Sequence, residues 1–144
     1  MSLLAELDAA LLAANSTAAK LTAACRLLQR LPRYTGVYLY ALEGNTLVLR
    51  VHQGRDTDHK RIPSGKGICG ASVQARAAVL VNDVGADDRY LACSIETRSE
   101  IEFPIMLGER YLAQIDIDSD ERAAFDVDDE VFLADVARRL EPLF

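Results

Sequence analysis

The segment SEIEFPIMLGERYLAQIDID, residues 99–118, constrains the fold more than any other stretch. Apolar residues alternate with acids or other polar residues on both sides of Gly108-Glu109, which is the period of a strand and not of a helix. Ile115 and Ile117 point one way, Asp116 and Asp118 the other; Ile101 and Phe103 oppose Glu100 and Glu102 in the same manner. A turn at Gly108-Glu109 folds the two runs into an antiparallel hairpin and sets Glu100 opposite Asp116 or Asp118. One face of such a hairpin is apolar. The other carries carboxylates that repel one another unless a cation or a proton sits among them. A ligand ammonium group or a shared proton resolves the repulsion; a solvated sheet face with scattered acids is the plainer alternative.

The same test of period orders the rest of the chain. TGVYLYAL and TLVLRVHQ, separated by EGN, make another hairpin, and RDTDHKRIPSGKG is a polar loop. A short helix follows Gly67, AVLVND is a strand, and VGADDRYLACSIETR is a long segment without clean periodicity, of a length that often serves function. In residues 3–31, Leu4, Leu7 and Leu11 form one helical stripe and Leu21, Cys25, Leu28 and Leu31 a second. Asn15, Ser16 and Thr17 between them are N-cap residues, so two helices and one broken helix both fit; Pro32 ends the segment. FDVDDEVFLADVARRL has acids in its first turn, Arg138 and Arg139 in its last, and a stripe of Leu133, Val136, Ala137 and Leu140. The expectation is one α+β domain over residues 1–144, a helical segment over about 3–31 and a core over about 34–140. Its central antiparallel sheet carries the N- and C-terminal helices on one face. Those helices also offer a surface for a homodimer.

Composition excludes several classes of function. The net charge of −6 disfavours nonspecific attraction to nucleic acid or an anionic membrane. No apolar run approaches the roughly 20 residues of a membrane span. The first residues, MSLLAELDAALLAANS, hold acids where a secretory leader holds basic residues. Three cysteines are too few for a disulfide framework, so a cytoplasmic protein with reduced thiols is expected.

Those thiols differ in setting. Cys25, in a helical stripe, reads as a small core filler. Cys69 starts the short helix, where free N–H groups favour a thiolate. Cys93 lies in the long segment between Arg89 and Arg98, which also favour a thiolate. Either is otherwise a small buried hydrophobe. There is no Cys-x-x-Cys pair, His52 and His59 are isolated, and GKGICGA lacks the phosphate-loop spacing, so neither a metal nor a cofactor is expected.

Taken in order, RIPSGKGICGA, VNDV, YLAC, SEIEFPI and QIDIDSD resemble a stand-alone GAF domain over roughly residues 34–140, and more narrowly the free methionine-(R)-sulfoxide reductases. The resemblance implies a GAF-like sheet and reduction of free methionine-(R)-sulfoxide, with thioredoxin or a small thiol as final reductant. It gives Cys93 the role of the nucleophile that becomes a sulfenic acid, and Glu100 and Asp118 catalytic roles. Asp116 binds the substrate ammonium, Tyr34 packs on the substrate methyl group, and Cys69 is the candidate resolving thiol. His59 stands where the family commonly has a resolving cysteine, which leaves the return of Cys93 to Cys69, thioredoxin or a small thiol. Fragments such as DDRYLACSIETRSEI also resemble GAF domains of bacterial signalling proteins, which implies as alternative a non-catalytic module that binds a small molecule or senses oxidation. A third reading, a structural domain with an empty pocket, leaves the acids unexplained.

Overall fold

The computed structural model describes residues 1–91 and 94–144. Helices α1 (Leu3–Ala13) and α2 (Thr17–Gln29) precede the hairpin of β1 (Gly36–Glu43) and β2 (Thr46–Gln53). There follow β3 (Arg61–Pro63), α3 (Gly67–Ala75), β4 (Val79–Val81), β5 (Ser99–Leu107), β6 (Arg110–Ser119) and α4 (Val127–Leu140). Among the described residues the strands form one sheet in the order β3-β2-β1-β6-β5-β4, with antiparallel neighbours throughout. This is the expected α+β arrangement. The N-terminal segment is two helices, because Ser16 accepts a hydrogen bond from Ala19 N–H and starts α2 afresh. The polar loop after β2 differs from its expectation: its RIP segment pairs with β2 as a short edge strand.

Alternation sorts the strand residues onto two faces. Val37, Leu39, Ile101, Ile105, Ala113, Ile115 and Ile117 pack against Leu7, Leu21, Leu28, Leu133, Val136 and Leu140 of α1, α2 and α4 in the main core. Helix α4 is fixed at its start by a capping box, in which Asp126 accepts from Asp129 N–H and Asp129 from Asp126 N–H. The opposite face carries Tyr38, Tyr40 and Tyr111 and is covered by Cys69 of α3 and Ile62 of β3. The turn from β3 packs closely on helix α3 because Gly70 has no side chain: a Cβ there would lie 2.8 Å from Gly65 N and 3.0 Å from Pro63 O.

A single irregularity sets the register of the acids. Leu107 pairs with Arg110 and Met106 with Tyr111, a spacing that would bring Glu100 opposite Ile117. A bulge between Ile105 and Met106 takes up Leu112, so that Ile105 pairs with Ala113 and Glu100 with Asp118. Without that extra residue one strand's acids would sit across from the other's isoleucines, and the two faces would be mixed.

Candidate active site

The register places four carboxyl groups on two rungs of the sheet, either side of the Ile101–Ile117 pair and on the opposite face from it. Glu100 pairs with Asp118, which is flanked on β1 by Gly36; Glu102 pairs with Asp116, flanked by Tyr38. Val81 and Val79 of β4 complete the rungs beyond Glu100 and Glu102. All four acids are buried: Glu102 is wholly inaccessible, and Glu100, Asp116 and Asp118 are each 5 % exposed. Three of them were expected to converge. Glu102, read from sequence only as a residue of that face, is the most deeply buried member.

No lysine or arginine among the described residues forms an ion pair with any of the four. Burial without a counter-ion therefore favours the neutral acid. Glu100 is pushed up to about 8, by burial first and then by Asp118. Asp116 is pushed up to about 7, by burial and then by Glu100. Burial and the charge of Glu100 raise Glu102 well above the carboxylate range, and burial and the charge of Asp116 do the same to Asp118. The carboxyls hydrogen-bond in a row, Glu100 with Glu102, Glu102 with Asp116 and Asp116 with Asp118, and each such bond needs a proton between two acids. Glu102 Oε2 and Asp116 Oδ1 receive no hydrogen bond from an amide, hydroxyl or thiol of the described residues. The cluster is short of positive charge.

Helix α3 brings a thiol to it. Cys69 Sγ lies 3.5 Å from Asp116 Oδ2 and 3.8 Å from Glu102 Oε1 and donates to both. This corrects the expectation of a thiolate at the helix start: burial, then Asp116 and Glu102, raise the Cys69 thiol well above its ordinary value. Its backbone is held by Gln114, whose Nε2 donates to Cys69 O at 2.9 Å and to Tyr111 Oη at 2.8 Å. Tyr111 in turn meets Ser72 Oγ at 2.9 Å. From β1, Tyr38 and Tyr40 donate to the backbone carbonyls of Arg55 and His59, tying the polar loop over the site. No motif marks Gln114, Tyr38 or Tyr40; their alternation on β1 and β6 is the available signal.

Between Tyr40, His59, Ile68, Cys69 and Asp116 lies a cavity of about 20 Å³, enough for roughly one water molecule. Leu91 forms another part of its wall and packs on Gly67, where φ is +65° and a Cβ would meet the leucine at 2.9 Å. A larger open groove of about 860 Å³ runs near Thr17, Leu112 and Phe144, and none of the four acids lines it.

Two other expectations fall elsewhere. Tyr34 does not join the acids: it is buried in the helix-side core, packed edge-on to Phe125 with centroids 5.6 Å apart, and donates to Asp129 Oδ1 at 2.6 Å. Lying before β1, it is outside the alternation that carries Tyr38 and Tyr40 to the site. Cys93 lies outside the described residues. Of its flanking arginines, Arg89 is engaged by Asp87 at 2.6 Å and Arg98 donates to Ile95 O at 3.4 Å.

Comparison with known proteins identifies relatives of the chain and of its fold. The GAF domain family profile matches residues 7–142. A free methionine-R-sulfoxide reductase of Escherichia coli is 34% identical over 115 residues, 80% of this chain and 69% of that protein. The type II free methionine-R-sulfoxide reductase of Thermoplasma acidophilum superposes with a TM-score of 0.85 at 38% identity, over 88% of this chain and 91% of its own. That of Neisseria meningitidis, solved in complex with its substrate, gives 0.91 at 30% identity over 99% and 86%.

Proposed function

The chain belongs to the GAF domain family, and on that footing we propose that it reduces free methionine-R-sulfoxide to methionine. The observation that carries the reading is the buried row of Glu100, Glu102, Asp116 and Asp118, which has no lysine or arginine as counter-ion. Such a row offers both things the reaction needs. Ionised members pair with the α-ammonium of a free amino acid, and a protonated member gives a proton to the sulfoxide oxygen. The relatives that carry this name support the choice of substrate.

In the proposed reaction Asp116 binds the ammonium, and Glu100 or Asp118 protonates the S–O oxygen. The Cys93 thiolate attacks the sulfoxide sulfur, and the oxygen passes to the cysteine as Cys93–SOH while methionine departs. The sulfoxide gains two electrons and the cysteine loses two. A thiol then attacks Cys93–SOH, releasing water and leaving a mixed disulfide, which a second thiol opens. Thioredoxin or a small thiol serves both steps, and Cys69 is the internal candidate. Because the protonated Cys69 thiol is a poor nucleophile, an external thiol is favoured for the first of them. A molecule of the substrate's size exceeds the present cavity, so its entry requires the contact of Leu91 with Gly67 to open.

NADPH oxidation in a thioredoxin-coupled assay tests this. The wild type turns over the free R-epimer, Cys93→Ser does not, and N-acetylation of the substrate, which removes the ammonium, lowers kcat/KM by about 10- to 100-fold. No turnover above the Cys93→Ser control rejects the reading. His59, standing where the family commonly has a resolving cysteine, is what favours the alternative, a non-catalytic GAF module that binds or senses a small molecule. Calorimetric binding of methionine-R-sulfoxide without turnover would select it.

A further inference from the structure

We propose that Cys69, Glu102 and Asp116, with Glu100 as the fourth donor, form a site for a zinc(II) ion. One ligand atom from each of these four residues lies within 4.8 Å of the others, all of them buried. Tetrahedral zinc, with Zn–S of about 2.3 Å and Zn–O of about 2.0 Å, holds its sulfur and oxygen ligands about 3.5 Å apart. Cys69 Sγ already stands 3.5 Å from Asp116 Oδ2 and 3.8 Å from Glu102 Oε1. A second, independent observation concerns the oxygens that the protein leaves without a donor. Glu102 Oε2 and Asp116 Oδ1 are buried and accept from no amide, hydroxyl or thiol of the described residues. Burying such atoms is costly where only a proton shared between two acids can serve them, and a cation among them removes the cost.

The donor set selects the metal. A thiol is too soft a ligand for calcium, which takes six to eight oxygens, and magnesium retains waters for which about 20 Å³ leaves little room. A thiophilic, four-coordinate dication fits. The sequence showed no such site because its donors come from α3, β5 and β6, at no recognisable ligand spacing. Gln114 supplies the outer support, holding the Cys69 carbonyl at 2.9 Å. On binding, the proton of the thiol passes to solvent.

The zinc site does not depend on the proposed function. Its consequence rests on the proposed reductase function: zinc and the substrate ammonium compete for Asp116, so zinc excludes methionine-R-sulfoxide. Cobalt(II), which has the same coordination and a visible spectrum, is the probe for the site. The reduced full chain is expected to take up one cobalt ion with a thiolate-to-cobalt charge-transfer band, which zinc then displaces. Cys69→Ala loses the band and weakens binding by more than the roughly 10- to 100-fold that loss of an outer partner costs. Isosteric Asp116→Asn weakens binding and shifts the visible bands, and Cys93→Ser keeps the band; far-ultraviolet circular dichroism verifies each fold. Absence of saturable one-to-one uptake, a band that survives Cys69→Ala, or a band lost in Cys93→Ser overturns the site. Zinc bound as described, without effect on methionine-R-sulfoxide turnover, overturns the competition alone; turnover in a protein that takes up no metal leaves the reductase function standing without the site.

Discussion

Along β5 and β6, Ile101, Ile115 and Ile117 are one residue away from Glu100, Glu102, Asp116 and Asp118, and both sets are buried. The isoleucines meet α1, α2 and α4, and their burial is favourable on its own account. The acids meet α3 and a thiol, and their burial is unfavourable until a proton or a cation joins them. The same strands thus supply stability on one face and a standing demand for positive charge on the other. In the proposed reaction the ammonium group of the substrate meets that demand where water does not reach. The proposed function uses the face that folding alone would not choose.

The largest expected effect breaks the apolar side. Ile117 is fully buried, and Ile117→Ala is predicted to destabilise the protein by about 2–5 kcal/mol in urea unfolding, from lost transfer energy and the cavity left behind. A loss under 1 kcal/mol would mean that the helix layer is not the main source of stability.

Next in size is the pH dependence of the acid side. Glu100 at about 8 and Asp116 at about 7 hold protons in the folded state that the unfolded chain releases near pH 4. Where the folded state binds more protons, stability falls as pH rises. The contribution is neutral below the unfolded values, declines from about pH 4 and is fully unfavourable above about pH 8. For each proton held back, the folding equilibrium changes about tenfold per pH unit. The double variant Glu102→Gln/Asp116→Asn should flatten the decline between pH 5 and 8, as measured by urea unfolding. An equal slope in both proteins would place the protons elsewhere.

A smaller effect has the opposite sign to that of Ile117→Ala. Glu102→Gln keeps the volume, removes an ionisable group and offers an N–H to the carboxyls around it. It should leave stability at pH 8 unchanged or raise it by up to about 2 kcal/mol, while lowering turnover. A marked loss of stability would show that the row of acids is structural.

Much of this division was legible in the sequence. Period-two alternation in EIEF and QIDID gave the faces, and the turn at Gly108-Glu109 gave the hairpin. Alternation alone allows Glu100 either Asp116 or Asp118 as partner, because the bulge at Ile105 and Met106 that selects Asp118 has no sequence signature of its own. The choice between a thiolate and a small buried thiol at Cys69 is hidden in the sequence for a different reason. The helix start it occupies is local and visible in GKGICGA, whereas the acids that dominate its environment are 33 and 47 residues away along the chain. Tyr34 illustrates the same limit: an aromatic next to a strand carries no mark of which face it will join.

The smallest expected effect sharpens the boundary between the faces at that residue. Tyr34 donates to Asp129 at 2.6 Å, and Asp129 also closes the capping box of α4. Tyr34→Phe removes one hydroxyl and keeps the ring against Phe125. The predicted cost is about 1 kcal/mol, or a fall in Tm of about 2–4 °C, read by calorimetry. KM for methionine-R-sulfoxide should stay within twofold of wild type, because the ring lies in the helix-side core and the acids lie across the sheet from it. If Tyr34→Phe instead raised KM tenfold at unchanged Tm, the tyrosine would touch the substrate, and the separation of a stabilising face from a reacting face would fail at its simplest point.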